Sequence, residues 1–441
     1  MDCNIFSPLR QFREQLYGCF AKAGDALFNI LDALLSETAA RSLAELSLSP
    51  FCTRRWGSIY QGLQHADIDR PKMQRLFAMH APLPTQGNRL VLGIDVSSIA
   101  RPSSRTARDR TYVHQSNLPK GCKPVTPGWQ FSTLTVLPEE PSSWTYLLDN
   151  IRVRSEQTHG EAAKEQLTEV LPLLPLRPLL LGDGYYSSAT FLEQVADTPC
   201  DLLARLPKNR VLYHVAPPRT GKKGRPRLDG ARFACKDPAT QGTPDAFWSG
   251  TNKAGQAVEV SIWHHLHYKK ARQVAVSVIR VVRPHAEDTE RDPKVSWFLF
   301  RGEQMPAPKE ISDLYARRYS QEHGYRVDKQ HLLWETPRLR TPEQFQHWTD
   351  LVACVRNQLY LARPLAEVVR QPWESKRREL TPQQTRRAMP TILTMLGTPA
   401  QPPQPRGKSP GRRLGAKIKP VPRYKTIFKD TEKSKKVAAN V

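Results

Sequence analysis

The stretch RLVLGIDVSS, residues 89–98, decides the fold class. Its apolar run ends at Asp95 and gives way to small polar residues. Such a run is typical of a buried strand. Carboxylates at the strand ends of an α/β sheet commonly face the ligand crevice. The alternative for Asp95 is a turn residue or a helix cap, since Asp also favours those positions.

A second segment repeats this arrangement. PLRPLLLGDGYYSSATFLEQVAD, residues 175–197, predicts a strand, a glycine-flanked turn that contains Asp183, and a helix. A strand candidate, GWQFSTLTVLP, precedes it at residues 128–138, and another, CDLLARLP, follows it at residues 200–207. Strands and helices in this order predict an α/β fold with a mixed sheet.

Changes of pattern divide the chain into six parts. They are a helical N-terminal domain (1–87), the first part of an α/β core (88–207), a β-rich insertion (208–294), the second part of the core with further helices (295–365), a helical segment (366–400) and a basic tail (401–441). The tail holds twelve Lys or Arg against two Asp or Glu, together with prolines. This composition predicts disorder.

The charge balance predicts a polyanionic partner. The 441 residues contain 66 Lys and Arg against 42 Asp and Glu, a formal net charge of +24. Nucleic acid is the leading partner for such a chain, and no apolar run reaches the roughly 18–20 residues of a membrane span. The first twenty residues lack the order of a secretory signal, so we expect a cytoplasmic protein. Seven scattered cysteines without a CxxC pair indicate reduced thiols rather than disulfides or a zinc site.

The stretch LYARRYSQEHGYRVDKQ, residues 314–330, is predicted to be helical. At about 100° per residue, Tyr315, Arg318, Glu322 and Lys329 fall on one stripe of the helix. Alone, this stripe describes a solvated face whose i, i+4 ion pair is worth a few tenths of a kcal/mol. Two Asp on strands and one Glu on a helix, however, are hard oxygen ligands suited to Mg²⁺. Such a set can hold two ions for phosphoryl transfer.

The spacing Tyr-x2-Arg-x3-Glu-x6-Lys resembles the Tyr-Arg-Glu-Lys signature of bacterial insertion-sequence transposases of the DDE type, which have an RNase H-like catalytic core. GIDVSSIARP and LLLGDGYYSSATF are similar to the strands that carry the first and second Asp of that family. The resemblance extends over residues 88–365. It implies an α/β, RNase H-like mixed-sheet core with a β-rich insertion, a helical N-terminal DNA-binding domain and a disordered basic tail.

The same resemblance implies a set of site residues. Three carboxylates would be catalytic and would bind two Mg²⁺ ions, with Mn²⁺ as the alternative: Asp95, Asp183 and Glu322. Three further residues would hold phosphates of the DNA end: Tyr315, Arg318 and Lys329. The charges of Arg318 and Lys329 support this role independently. For Tyr315, core packing is the open alternative.

The implied activity is DNA transposition. The enzyme would bind the terminal inverted repeats of an insertion sequence, hydrolyse the phosphodiester at each end and transfer the 3′-hydroxyls to target DNA. Its partner would be double-stranded DNA in the bacterial nucleoid, and the synaptic complex would contain a dimer. Two alternatives remain. One is a nuclease of the same fold, and the other is a transposase-derived DNA-binding protein without catalysis.

Basic residues of the insertion are additional candidates for DNA contact. KKGRPR, residues 222–227, resembles an AT-hook, whose Arg-Pro-Arg core lies in a narrow minor groove. The candidate residues are Lys222, Lys223, Arg225 and Arg227 in this motif, and Lys208 and Arg210 just after a predicted strand. A solvated basic loop is the alternative for the motif.

Gly324 departs from a good helical sequence. A glycine inside a helix costs up to about 1 kcal/mol relative to alanine. Either a kink or a close approach of the DNA backbone would explain why glycine occurs two residues after Glu322.

Overall fold

The computed structural model describes residues 5–115, 124–218, 226–289, 293–375, 379–405, 407, 411–417 and 420–429. A 12-stranded sheet lies at the centre of this part of the chain. It contains both parallel and antiparallel strand pairs, so the predicted mixed α/β architecture is confirmed. Among the described helices, none combines the length and apolar character that crossing a bilayer requires.

The helices lie mainly at the two ends of the chain. They are α1 (Ser7–Tyr17), α2 (Gly24–Ser36), α3 (Trp56–His65), α4 (Arg70–Met79), α5 (His159–Val170), α6 (Ala189–Gln194), α7 (Ile311–Ala316), α8 (Tyr319–Arg326), α9 (Pro342–Ala362) and α10 (Pro382–Leu396). Helices α5, α9 and α10 each begin at a capping box, in which a Thr side chain and a Glu or Gln three residues later satisfy unpaired backbone N–H groups.

The strands occupy the middle of the chain. They are β1 (Phe20–Lys22), β2 (Asp67–Ile68), β3 (Val91–Ala100), β4 (Thr111–His114), β5 (Val125–Val136), β6 (Tyr146–Val153), β7 (Leu179–Gly182), β8 (Asp201–Arg205), β9 (Val211–Tyr213), β10 (Arg232–Ala234), β11 (Ala246–Thr251), β12 (Ala257–Tyr268), β13 (Ala271–Val282) and β14 (Val295–Arg301). Strands β1 and β2 form a small separate sheet, and the others form the central one.

The central sheet is buried on both faces where β3, β7 and β8 lie side by side. Leu92 and Ile94 belong to the large core shared with the helices, whereas Val91 belongs to a second apolar cluster. Successive residues of a strand point to opposite faces. A strand buried on both faces is therefore apolar at nearly every position, which is the pattern at the start of β3.

The strands of residues 208–294 continue the central sheet. Strand β14 pairs antiparallel with β13 on one side and with β8 on the other. Phe233, Trp263 and Trp297 pack together here, with the rings of Trp263 and Trp297 stacked at 5.9 Å. The β-rich character predicted for this segment is therefore present, and backbone hydrogen bonds join it to the core.

The N-terminal helices pack against the C-terminal ones. Arg13 of α1 donates a hydrogen bond to Gln358 of α9 over 2.8 Å and forms a buried ion pair with Asp32 of α2 at 2.7 Å. Arg386 of α10 donates to the carbonyl of Leu34 over 2.8 Å. Removing one partner of a buried ion pair typically costs about 3–5 kcal/mol. These contacts therefore fix the two ends of the chain to each other.

Part of the basic tail lies along an edge of the sheet. Within the returning segment, residues 423–429, the Ile427 amide donates to the Arg110 carbonyl over 2.7 Å, and Ile427 forms a parallel bridge with Thr111 of β4. The Phe428 ring lies 4.4 Å from that of Tyr112. An edge strand offers unpaired backbone groups to an extended segment. The prediction of disorder is therefore wrong for this segment.

Gly324 is explained by packing within the protein. A Cβ atom at this position of α8 would collide with the guanidinium of Arg356 and would lie 2.7 Å from Thr145 Oγ1. Arg356 is itself held by a buried ion pair with Asp328 at 2.7 Å. The helix needs glycine here because a buried arginine of α9 occupies the space of a side chain.

Gly324→Ala is expected to destabilise the protein by about 1–3 kcal/mol, because overpacking a fixed neighbour costs that much. Helix propensity alone predicts the opposite sign, a gain of about 1 kcal/mol. Urea denaturation measures the difference. Gly57→Ala in α3 is the matched control, since a Cβ there meets nothing within 4 Å. A stabilised Gly324→Ala variant would contradict the packing explanation.

Candidate active site

Parallel pairing of β3 with β7 brings two carboxylates together. The register pairs Val91 with Leu179 and Gly93 with Leu181. Asp183 directly follows β7, two residues after Leu181, and Asp95 lies two residues after Gly93 in β3, so the same register would set them opposite each other. Neighbouring strands lie about 4.8 Å apart, and residues in register point to the same face. The two carboxylates therefore leave the sheet side by side.

Helix α8, which carries Glu322, packs directly on β3. A Cβ atom at Gly93 would lie 2.5 Å from Gln321 Oε1, so the absence of a side chain permits this close approach. Gln321 donates a hydrogen bond to the Thr133 carbonyl of β5 over 3.0 Å, and the Tyr325 hydroxyl donates to the Asp95 carbonyl over 3.1 Å. These contacts fix the helix across the strand that bears the first Asp.

The predicted helix of residues 314–330 is interrupted. Arg317 and Arg318 form a tight turn between α7 and α8, with amide hydrogen bonds to the carbonyls three residues earlier, Leu314 and Tyr315. The side chain of Arg317 explains this tight turn, because its guanidinium donates to the Pro138 carbonyl over 2.7 Å and to the Leu137 carbonyl over 3.1 Å. After α8, residues Val327–His331 form a π-helical turn.

Asp95 and Asp183 line one cavity of about 540 Å³. Its other lining residues include Ser98, His114, Gln130, His159, Tyr185, Tyr325, Lys329 and Glu335. The wall is predominantly polar, which suits a charged ligand. Glu322 does not line this cavity, and its side chain is 49% exposed.

Arg318 lies between two of the predicted ligands. Its guanidinium is 3.2 Å from Asp95 Oδ2 and 3.8 Å from Glu322 Oε1. The pKa of Asp95 is raised to about 6, mainly by burial and also by the nearby carboxylates of Asp183 and Glu322, whereas Arg318 opposes the rise. A cation at this point relieves the repulsion among the carboxylates.

The carboxylates suit a divalent cation only in part. Asp95 and Asp183 offer hard oxygen ligands on one wall, and the raised pKa of Asp95 shows that its anionic form gains from an added positive charge. Across the described ranges, however, no three His, Cys, Asp or Glu side chains come together closely enough to hold a metal ion. Glu322 is directed to Arg318 instead. The metal assignment for the three residues therefore stays a prediction.

The other two residues of the predicted stripe also contact the strand ends. The Tyr315 hydroxyl donates to the Gly182 carbonyl over 3.3 Å, and its ring packs against Phe298 at 4.6 Å. Lys329 lines the cavity and donates to the Ser98 carbonyl over 3.1 Å. Lys329 also lies 3.7 Å from Glu335 Oε2 on the cavity wall, whereas Tyr315 packs in the core. The phosphate-binding role of both residues stays a prediction.

Among the described residues, the remaining DNA-contact candidates do not line the cavity. Lys208 is exposed in the loop after β8, Arg210 is half-buried in the same loop, and Arg227 is exposed. The structure does not bring them to the carboxylates. Lys222, Lys223 and Arg225 fall outside the described residues.

His159 lines the cavity and was missed by the sequence analysis. It is the first residue of α5, directly after the capping Thr158. Its Nε2 lies 3.1 Å from Gln130 Oε1, and its ring lies 5.1 Å from that of Tyr185. The capping motif marks the start of the helix, but nothing in the local sequence shows that this imidazole faces the carboxylates.

The sequence from residue 15 to residue 267 matches the family described as DDE superfamily endonuclease. The match covers more than half of the chain, and the chain belongs to this family. Both strand-borne carboxylates, Asp95 and Asp183, lie within the matched residues, and Glu322 lies beyond them. A nuclease-like or transposase-like function follows from this membership. A comparison with curated proteins finds no match.

The His159 imidazole is expected to stay neutral well below pH 6. Burial and, to a smaller extent, the positive charge of Lys429 lower its pKa from 6.5 to about 4, and the carboxylate of Asp183 opposes them. Because the folded-state pKa lies below that of the unfolded chain, the contribution of His159 to stability is present above pH 6.5 and is lost as the pH falls towards 4.

NMR titration of the histidine rings measures this pKa. Lys429→Gln should raise the pKa of His159, since it removes a neighbouring positive charge. His80 is the internal control, because its pKa is lowered by burial alone. An unchanged His159 titration in the variant would contradict the proximity of the returning segment to the cavity.

Proposed function

We propose that this protein is a DDE transposase with an RNase H-like catalytic core. It binds the terminal inverted repeats of an insertion sequence, cleaves the DNA ends by metal-dependent phosphodiester hydrolysis and transfers the 3′-hydroxyls to target DNA. The observation that carries the proposal is the parallel register of β3 and β7. It aligns Asp95 with Asp183 on the wall of a polar cavity, and Arg318 connects Asp95 to Glu322.

Asp95 and Asp183 are the proposed first ligands of divalent ions, Mg²⁺ or Mn²⁺. Glu322 is the proposed third ligand, and its side chain would have to leave Arg318 to reach the cavity. Bound ions would activate water or a 3′-hydroxyl and stabilise the leaving oxygen. In this scheme Arg318 holds the charge balance of the site until metal binds.

Arg318 then becomes available to a DNA phosphate. Its guanidinium is a planar donor suited to phosphate oxygens, and its Nε is buried without a hydrogen-bond partner among the described residues. Lys329, on the cavity wall, supplies a second cation. The net charge of +24 supports duplex DNA as the substrate.

The cellular setting follows from this activity. Cleaving and joining two DNA ends calls for paired subunits, so we propose a dimer in the synaptic complex. Because the substrate is bacterial DNA, the protein would act in the cytoplasm at the nucleoid.

Glu322→Gln keeps the shape of the side chain but removes one ligand charge. We expect it to lower Mg²⁺-dependent cleavage of DNA that carries the element's own ends by about 100-fold or more, because metal catalysis supplies several kcal/mol. DNA binding should be retained. Cleavage and joining to a target plasmid are measured on gels, with Glu310→Gln, an exposed carboxylate twelve residues earlier, as the matched control.

The products separate the proposal from its two rivals. Cleavage without joined products would favour a nuclease of the same family. Binding by the wild type without cleavage would favour a DNA-binding derivative. Equal activity of wild type and Glu322→Gln would reject the assignment of Glu322, and Asp95→Asn tests the strand-borne ligand in the same assay.

A further inference from the structure

The returning segment, residues 423–429, extends the catalytic sheet. Besides the bond from Ile427, the Tyr424 amide donates to the Arg105 carbonyl over 2.8 Å, and the Arg110 guanidinium donates to the Tyr424 carbonyl over 3.0 Å. Contacts at both ends hold the segment in an extended form beside β4. A distant part of the chain thus lies beside β4, joined to it by a parallel bridge at Ile427.

This edge adjoins the cavity. The last two residues of β4, Val113 and His114, line the cavity wall next to Gln130 and His159. The side chain of Lys429 reaches the residue before the α5 cap and donates to the Gln157 carbonyl over 2.8 Å. The returning segment therefore runs from the loop before β4 to the helix that carries His159.

Positive charges gather along this edge. Arg105, Arg423 and Lys425 are exposed, and none forms an ion pair with a carboxylate in the part of the chain that the structure describes. Burial and the nearby charge of Arg105 lower the pKa of Arg110. A group of exposed positive charges without acidic partners creates a surface potential that attracts a polyanion.

We propose that the returning segment is a phosphate-contacting strand, which extends the DNA-binding surface from the cavity along the edge of β4. Arg423 and Lys425 contact the backbone of the duplex that enters the cavity, and docking on β4 fixes their positions. This inference rests on the proposed function, since it requires DNA in the cavity. It assigns a site to a tail that composition alone describes as unstructured.

The test distinguishes the effect of the two positive charges on DNA binding from the effect of docking the segment on β4. Arg423→Gln with Lys425→Gln removes two charges and leaves the backbone contacts of the segment in place. Ile427→Pro keeps every charge but removes the amide that donates to Arg110. Faster trypsin cleavage after Lys425 in Ile427→Pro verifies that the segment has been released. Lys433→Gln with Lys435→Gln is the matched control, because it removes two charges from the same tail outside the docked segment.

The affinity for a 30-base-pair DNA duplex of arbitrary sequence is measured over a range of KCl concentrations. Each lost phosphate contact makes the slope of log K against log salt shallower by about 0.9. The Arg423/Lys425 variant should therefore show a slope shallower by about 2. Ile427→Pro should shift the slope in the same direction, and the control pair should change it less.

Three results would overturn the inference. The first is a salt slope in the Arg423/Lys425 variant equal to that of the wild type, and the second is an equal change of slope in the Lys433/Lys435 control. The third is DNA binding by Ile427→Pro, with its segment released, that is as tight as that of the wild type or tighter. Any of these, with normal cleavage of the element's ends by the wild type, rejects only the role of the returning segment. If the wild type does not bind duplex DNA at all, the proposed function itself fails.

Discussion

The candidate site depends on the parallel hydrogen-bonded register between β3 and β7. A shift of one residue would turn one of the two Asp to the opposite face of the sheet. The register is maintained because both strands are apolar at nearly every position and each face contributes to a different core cluster. Burial on both faces therefore fixes the chemistry at the strand ends, although none of the buried residues takes part in it.

The helix that carries Glu322 depends on the same strand pair. Gly93 leaves room for Gln321, and Gly324 leaves room for Arg356, so α8 is fitted between the sheet on one side and α9 on the other. Glycine at both contacts lets backbone and side chains approach more closely than any other residue would permit. The position of the third carboxylate is thus set by packing on both sides of α8, while its side chain is 49% exposed.

Much of the α/β architecture was predictable from strong patterns in the local sequence. These are apolar runs that end in polar residues and side chains spaced along one face of a helix. Asp95 and Asp183 were found at the ends of apolar runs. The turn at Arg317 was not predictable, because it depends on the carbonyls of Leu137 and Pro138, just after β5 and far away in sequence. The place of His159 in the cavity and the docking of the returning segment were not predictable either, because their contact partners lie up to several hundred residues away in the sequence. Gly324 was noticed, but its cause is a buried arginine that the local sequence does not reveal.

The packing of the two chain ends has a consequence for synthesis of the protein. Arg13 of α1 and its hydrogen-bond partner Gln358 are 345 residues apart in the sequence, and the backbone amide of Gln401 donates to the Asp25 carboxylate over 2.9 Å. The first helices to leave the ribosome therefore keep an apolar face exposed until almost the whole chain has been synthesised. Contacts this distant slow folding and leave early segments open to aggregation. A gene that has lost its 3′ end would encode helices without the partners that complete their core.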